Sequence, residues 1–459
     1  MNIPFSPPAP SVRTELYQPT DGGQRIPSLD LLRGVALLGI LLMNIPGFGK
    51  TEASIYQTVR GPHGLDYWVI IVIHALFANK MRALFSMLFG AGIILFLTRK
   101  RDALGMAPPE LFIRRQLWLI VFGLVNALVL LWPYDILFQY GIVGILLFPF
   151  MRLPARALLI CAVVAGLVYG GKAYWNAVEE QQKYAKYQSV VAFEKTHKKV
   201  KLTDEQKADK SGWEGLVKSK KFDPKADKAE VVAMRSDYAT VWSHLLPKIQ
   251  QLEAPLFYRM YLWDIVSMML LGMALFRWGF FSSQLPTRRY GLLCVAGLGI
   301  GQGIAWLTMA YGEEQIANFT RYVSTHTLPL DEMLLPFERG FSAIGWASLV
   351  LLLYRANVLM WLWKAVGAVG QMAFTNYLMQ SVICTLFFYG YGFGYFGDLR
   401  VYQLYYVVAE VWLIQLVFSV IWLHYFRFGP LEWLWRSLTY GYRQPMALPP
   451  VTSATPALS

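Results

Sequence analysis

Apolar runs long enough to cross a lipid bilayer recur along this chain and leave little sequence from which to build a water-soluble core. Ten such segments fall at residues 31–46, 80–98, 113–131, 135–151, 156–175, 258–277, 290–311, 337–354, 369–391 and 401–426. In hydrocarbon the backbone must satisfy its own hydrogen bonds, so runs of this kind dictate packed helices. Composition agrees, with 56% hydrophobic residues and a mean hydropathy of +0.38 over 459 residues. The predicted fold is an all-α polytopic membrane protein: a bundle of about ten transmembrane helices, one surface helix and one large periplasmic loop.

One tract, "LDYWVIIVIHALFANKMRALFSMLFGAGIILFL", allows two short spans or a surface helix followed by one span. Loop charge decides between them. With residues 65–78 on the surface, Arg99, Lys100, Arg101, Arg114, Arg115, Arg152, Arg156, Arg277, Arg288, Arg289, Arg355 and Lys364 all fall on one side with both termini. The positive-inside rule makes that side cytoplasmic. The other side holds few basic residues in its short loops, such as Lys50, Arg60 and Arg400. Loop lysines and arginines then account for the net charge of +13, and no nucleic-acid partner is expected.

The organisation that follows is a cytoplasmic tail (1–24), an N-terminal bundle half (25–175), a periplasmic hydrophilic loop (176–256), a C-terminal bundle half (257–445) and a disordered tail (446–459). The N-terminus lacks a basic stretch leading into an apolar core and does not read as a cleaved signal peptide. The hydrophilic loop forms either a small helical cap or a partly disordered segment, its low aromatic content favouring the second. Cys161, Cys294 and Cys384 all sit in apolar runs, which argues against a disulfide framework or a cysteine zinc site.

Polar residues inside apolar runs mark candidate sites. In "RIPSLDLLRGVALLGILLMN", helical spacing places Asp30, Arg33 and Asn44 on one stripe, with Asn44 roughly 16 Å along the axis from Arg33. Toward the outer side lie His63, His74, Lys80, Arg82, Asn126, Asp135, Asp264, Glu338 and Arg339, contributed by several segments at one depth, the signature of a shared cavity. Taken singly, Asp135 and Glu338 also suit first-turn acids. Asp135 needs a cationic or hydrogen-bonding partner, with Lys80 or Arg82 expected. His63 and His74 are the general-base candidates, although a solvated turn and an interfacial helix explain them more simply. After the last span, Glu432 and Arg436 are spaced for a helical ion pair, in a stretch that also suits interfacial anchoring. The glycines of "GLGIGQGIAW" fit close helix packing, and neither a phosphate loop nor a G-x-S-x-G elbow is present.

The segments "SLDLLRGVALLGILLMNI", "LFSMLFGAG", "LWPYDIL", "GQMAFTNYLMQSVICTLFFYGYG" and "FRFGPLEWLWRSLTYG" resemble the YeiB-like family of bacterial inner-membrane proteins, a domain of unknown function loosely labelled as transport-related. The opening motif is also similar to membrane-bound acyltransferases that O-acetylate surface polysaccharides and to the lysosomal heparan N-acetyltransferase. That resemblance implies passage of an acyl group from cytoplasmic acyl-CoA to a periplasmic acceptor. In the polysaccharide enzymes an arginine is followed eleven positions later by a histidine; here these positions hold Arg33 and Asn44, and Asn44 can orient or stabilise but cannot take a proton. Some YeiB-like members carry a histidine where this chain has Asn126. The expectation is an acyltransferase-like enzyme with acyl-CoA as donor. Asp30, Arg33, Lys80, Arg82, Asn126, Glu338 and Arg339 would be binding residues; His63 or His74, Asn44 and Asp135 would be catalytic. The alternatives are a transporter or lipid-binding membrane protein, and a structural membrane protein without turnover.

Overall fold

The computed structural model describes residues 25–97, 108–197 and 200–448. The predicted tails at 1–24 and beyond 448, and the basic residues Arg99, Lys100 and Arg101, lie outside the described residues. Among the described residues the only β pairing is an isolated bridge between Phe426 and Ala447; the rest of the regular structure is helical.

Helix α1 (Pro27–Gly49) opens on a proline, whose missing N–H costs nothing in a first turn. We call the end of the bundle holding Pro27 proximal and the end holding Gly49 distal. Thr51 caps the short α2 (Glu52–Arg60) by accepting from the Ser54 N–H. Helices α3 (Leu65–Leu76) and α4 (Lys80–Leu97) are separated at Asn79, whose φ of 59° is left-handed and ends the regular hydrogen bonding. Next come α5 (Pro108–Leu128), α6 (Leu137–Leu147) and the 42-residue α7 (Ala155–Thr196). At about 1.5 Å per residue, α7 is roughly twice as long as a bilayer core is thick, so it continues beyond the bundle.

The hydrophilic stretch is folded. Helices α8 (Asp204–Ser219), α9 (Pro224–Met234) and α10 (Tyr238–Gln251) form a distal cap with the far half of α7. Trp213, 2% exposed, packs on Phe319, Tyr322 and Val323 and against Tyr184 and Tyr187. The low aromatic content that favoured partial disorder misleads here, because three of its aromatic residues, Tyr184, Tyr187 and Trp213, converge in one cluster.

A wide-wound turn region, Leu252–Tyr261, leads into α11 (Leu262–Arg277). The chain continues through α12 (Thr287–Ala317), α13 (Phe319–Thr325), α14 (Leu330–Met333), α15 (Leu335–Arg355), α16 (Met360–Gln371), α17 (Ala373–Phe388), α18 (Val401–Tyr425) and α19 (Pro430–Tyr440). Among the described residues, seven helical tracts are long and apolar enough to cross a membrane: α1, Leu65–Phe96, Pro109–Leu128, α7, Tyr238–Arg277, α12 and α18. Their number makes this a multi-pass membrane protein.

Glycines set the helix register that positions the site. A Cβ at Gly90 of α4 would lie 2.1 Å from the Met269 carbonyl oxygen, and one at Gly272 of α11 would lie 2.0 Å from that of Met87. Arg82 and Asp264 each stand eight residues before these contacts, so the parallel pairing of α4 and α11 carries them side by side. In the "GLGIGQGIAW" stretch, Gly297 and Gly301 pack closely against α15 as expected. Glu432 departs from the spacing that suggested a pair with Arg436. Its carboxylate accepts from the Phe374 and Thr375 N–H groups at 2.7 and 3.1 Å, capping α17, while Arg436 lies 4.3 Å over the Phe428 ring. Unsatisfied N–H groups at a helix start attract a carboxylate more strongly than an exposed i, i+4 partner does.

Candidate functional site

Two cavities enter the bundle from opposite ends. The proximal cavity, about 250 Å³, is apolar along Leu29, Phe85, Phe89 and Phe112 and is rimmed by Arg25, Arg33, Arg115 and Arg436, with Asp30 and Glu432 as its acids. Asp30 and Arg33 face one another across a helical turn at 3.1 Å, as their spacing predicts. Arg115 stacks 3.9 Å over Trp435, and Arg25 donates to Gln371 at 2.6 Å. A cationic rim over an aromatic pocket suits an anionic head joined to an apolar chain.

The distal cavity, about 410 Å³, takes Asn44 from α1, Arg82 from α4, Asp135 and Gln139 from the start of α6, Tyr261 and Arg339. Asn44 therefore stands at the opposite end of the Asp30–Arg33 stripe, as its spacing predicts. The cations at this depth are paired differently from expectation. Lys80 bonds Glu338 at 2.7 Å, while Arg82 and Arg339 converge on the same oxygen of Asp264, at 3.0 and 2.7 Å. Asp135 is left to neutral donors: Asn126 Nδ2 at 2.8 Å, the Phe138 N–H at 2.8 Å and the Tyr377 hydroxyl at 3.4 Å. The Phe138 bond is the first-turn cap that a structural reading expected; the other two come from α5 and α17. Depth along a helix can be counted from sequence, but the direction in which each helix faces its neighbours cannot, which is why Lys80 and Arg82 were misassigned to Asp135.

The histidines are placed elsewhere. His63 is exposed on the turn before α3 and stacks on Tyr67 at 4.1 Å. His74 has an exposed side chain on α3 and contributes its backbone carbonyl, which accepts from Lys80 Nζ at 3.0 Å. Neither lines either cavity. Lys80 and Glu338 also sit behind the cavity walls, and Asn126 serves by holding Asp135.

One layer of side chains divides the cavities. Tyr377, in the proximal lining, touches Asp135 in the distal lining, and its hydroxyl accepts from the Ile136 N–H at 3.2 Å. Tyr140, also proximal, donates to the backbone oxygen of Arg82 at 3.3 Å. Gly123 makes room for this layer, since a Cβ there would lie 2.6 Å from Asp135 Oδ2 and 2.2 Å from the Phe138 nitrogen. Tyr377 and Gln139 were missed in the sequence, although each is a polar residue within an apolar run, the feature that singled out Asn126. Glu253 was missed as well: it is buried, at 7% exposure, and its Oε2 accepts from Gln139 at 3.4 Å. Its place inside the hydrophilic loop concealed it.

A bundle of apolar helices with a cavity at each end defines a multi-pass membrane protein. Residues 275–442 match the model of a protein family of unknown function, DUF418. The chain is 31% identical over 431 residues to the uncharacterized protein YeiB of Escherichia coli (strain K12), covering 91% of this chain and 96% of that protein. It is 29% identical over 450 residues to the uncharacterized protein YxaH of Bacillus subtilis (strain 168), covering 94% and 98%. The chain belongs to this YeiB-like family. No solved structure matches it.

Proposed function

We propose that the protein is a transmembrane acyltransferase that takes an acyl group from a donor in the proximal cavity and gives it to an acceptor in the distal cavity. The observation that carries this reading is the single Tyr377–Asp135 layer between two cavities of opposite entry. Arg33 and its neighbours hold the phosphates of an acyl-CoA donor, and the aromatic wall guides the acyl chain inward. Asp135, aligned by Asn126 and Tyr377, takes the proton of an acceptor hydroxyl as that oxygen attacks the thioester carbon. The new C–O bond forms, the C–S bond breaks, and the CoA thiolate leaves on the proximal side. Asn44, on the acceptor side, orients the incoming group. His63 and His74 have no part in this scheme.

The cavities fit a bacterial inner-membrane orientation with both termini and the proximal end cytoplasmic and the α8–α10 cap periplasmic, as the basic residues favour. In this arrangement α6, α15 and the α16–α17 pair complete a set of ten crossings, with α3 at the surface. Cysteine labelling of intact cells tests it: Ser211→Cys reacts and Ser453→Cys is protected, and the reverse pattern inverts the orientation.

For the chemistry, Arg33→Leu is expected to weaken acyl-CoA binding by about tenfold or more, one charge-assisted contact being lost. Asp135→Asn is expected to bind donor normally and to release no CoA. Absence of acyl-CoA binding to the wild-type protein at millimolar concentration would favour a transporter, whose substrate would share both cavities.

A further inference from the structure

The acyl-transfer scheme leaves open what kind of acceptor enters the distal cavity, and the charges there are specific. Arg82 and Arg339 both line the cavity with Asp264 behind them, and both donate to its Oδ2. With bonds of 3.0 and 2.7 Å to one oxygen, the two donating nitrogens are at most 5.7 Å apart. Two guanidinium groups thus share one carboxylate and leave an excess positive charge. Arg339 is only 6% exposed, and its buried Nε has no hydrogen-bond partner, nor has the second oxygen of Asp264, Oδ1. A guanidinium N–H in a buried wall that donates to nothing is a costly feature.

The other charged groups of the lining are Lys50, Glu52 and Asp135. Lys50 lines the same cavity and donates to a neutral acceptor, the Gly397 carbonyl, at 3.3 Å. Glu52 is matched by Lys248 at 2.8 Å and also accepts from the Tyr134 hydroxyl. Asp135, held by the neutral donors Asn126, Phe138 and Tyr377, brings an acid without a cationic partner, set apart from the Arg82–Asp264–Arg339 ion pairs.

We infer that the distal cavity binds a phosphate-class anion between Arg82 and Arg339. Planar guanidinium forks suit an anion with several oxygens, and Lys50 adds a third cation at the entrance. Taken with the acyl-transfer reading, on which this one step rests, the acceptor is a phosphate-bearing hydroxyl compound, with its phosphate at the arginines and its hydroxyl toward Asp135. The anion site itself does not depend on that reading.

The test uses the full chain in dodecyl maltoside micelles, titrated calorimetrically with inorganic phosphate, glycerol 1-phosphate and dihexanoyl-phosphatidylglycerol. The wild-type protein is expected to bind at least one of the three. Binding of all three identifies a site open to soluble phosphates, and binding of the phosphatidylglycerol alone identifies a lipid headgroup site. Arg82→Gln and Arg339→Lys should each weaken binding about tenfold or more, while acyl-CoA binding at the proximal cavity is unchanged. Arg339→Lys keeps a cation for Asp264, so it reports on the fork even where Arg82→Gln fails to fold. The inference is overturned where no probe binds the wild-type protein, or where the folded variants bind as well as the wild type. Loss of acyl transfer with phosphate binding intact would remove the enzymatic reading and leave the anion site standing.

Discussion

Replacing Lys80 by methionine should destabilise the protein far more than replacing Lys80 and Glu338 together. The two side chains are 2% and 6% exposed and meet at 2.7 Å. Lys80→Met deletes one charge-assisted bond and leaves Glu338 buried with a single hydroxyl donor, Thr308, at 3.3 Å. Lys80 also gives up its bond to the His74 carbonyl at 3.0 Å. Stranding one member of a buried pair typically costs about 3–5 kcal/mol. Glu338→Leu strands the ammonium and should cost a similar amount. The double variant Lys80→Met/Glu338→Leu removes both desolvated charges, and its cost should fall to within about 1 kcal/mol of the wild type. Denaturant unfolding in micelles, run as a double-mutant cycle, measures the coupling. Because the pair is shielded from solvent, the single-variant losses should persist at 1 M salt, where exposed pairs are screened beyond about 3 Å. Single variants that each cost less than about 1 kcal/mol, or a double variant equal to their sum, would refute the reasoning from burial.

Gly123→Ala should displace α5 from α6 and lower the melting temperature, since its Cβ would meet the Phe138 backbone at 2.2 Å; Gly171→Ala, with no atom within 4 Å of its Cβ, should leave melting unchanged. On α14, burial and then the neighbouring Asp331 and Glu180 raise the Glu332 carboxyl to about 7. A carboxyl raised in the folded state binds protons more tightly there, so stability falls as pH rises from about 4.5 through 7. Glu332→Gln should flatten that part of the melting profile, and an unchanged slope would assign it to other groups. His63→Ala and His74→Ala should retain acyl-CoA binding and CoA release, measured with a thiol reagent; loss of turnover in either would return the base to a histidine.

Much of the architecture was legible because the bilayer allows few solutions. The apolar runs gave the helices, and a spacing of eleven residues put Arg33 and Asn44 on one stripe that reaches both cavities. Asp135 and Asn126 were recognised as polar groups at one depth, and they bond to each other. Pairing was not legible, because it depends on how each helix is rotated. Arg82 met Asp264 through glycine contacts between α4 and α11 that fix rotation as well as depth, and Lys80 met Glu338 on a different neighbour, α15. Glu432 shows a different limit: i, i+4 spacing permits an ion pair, but the exposed N–H groups of α17 lay closer to hand. Glu253 lies in the wide-wound Leu252–Tyr261 segment, outside any simple helical repeat, so periodicity could not aim it inward.

The central claim is that a donor enters from the proximal end and meets an acceptor at the Tyr377–Asp135 layer. A cryo-EM map of the protein in nanodiscs, saturated with a non-hydrolysable acyl-CoA analogue, tests it most directly. The account predicts density with the nucleotide phosphates against Arg33 and Arg436 and the acyl end at Tyr377, with Asp135 on the far side of the layer. A map with the proximal cavity empty and the analogue in the distal cavity beside Arg339, or a single continuous channel in place of the layer, would contradict it.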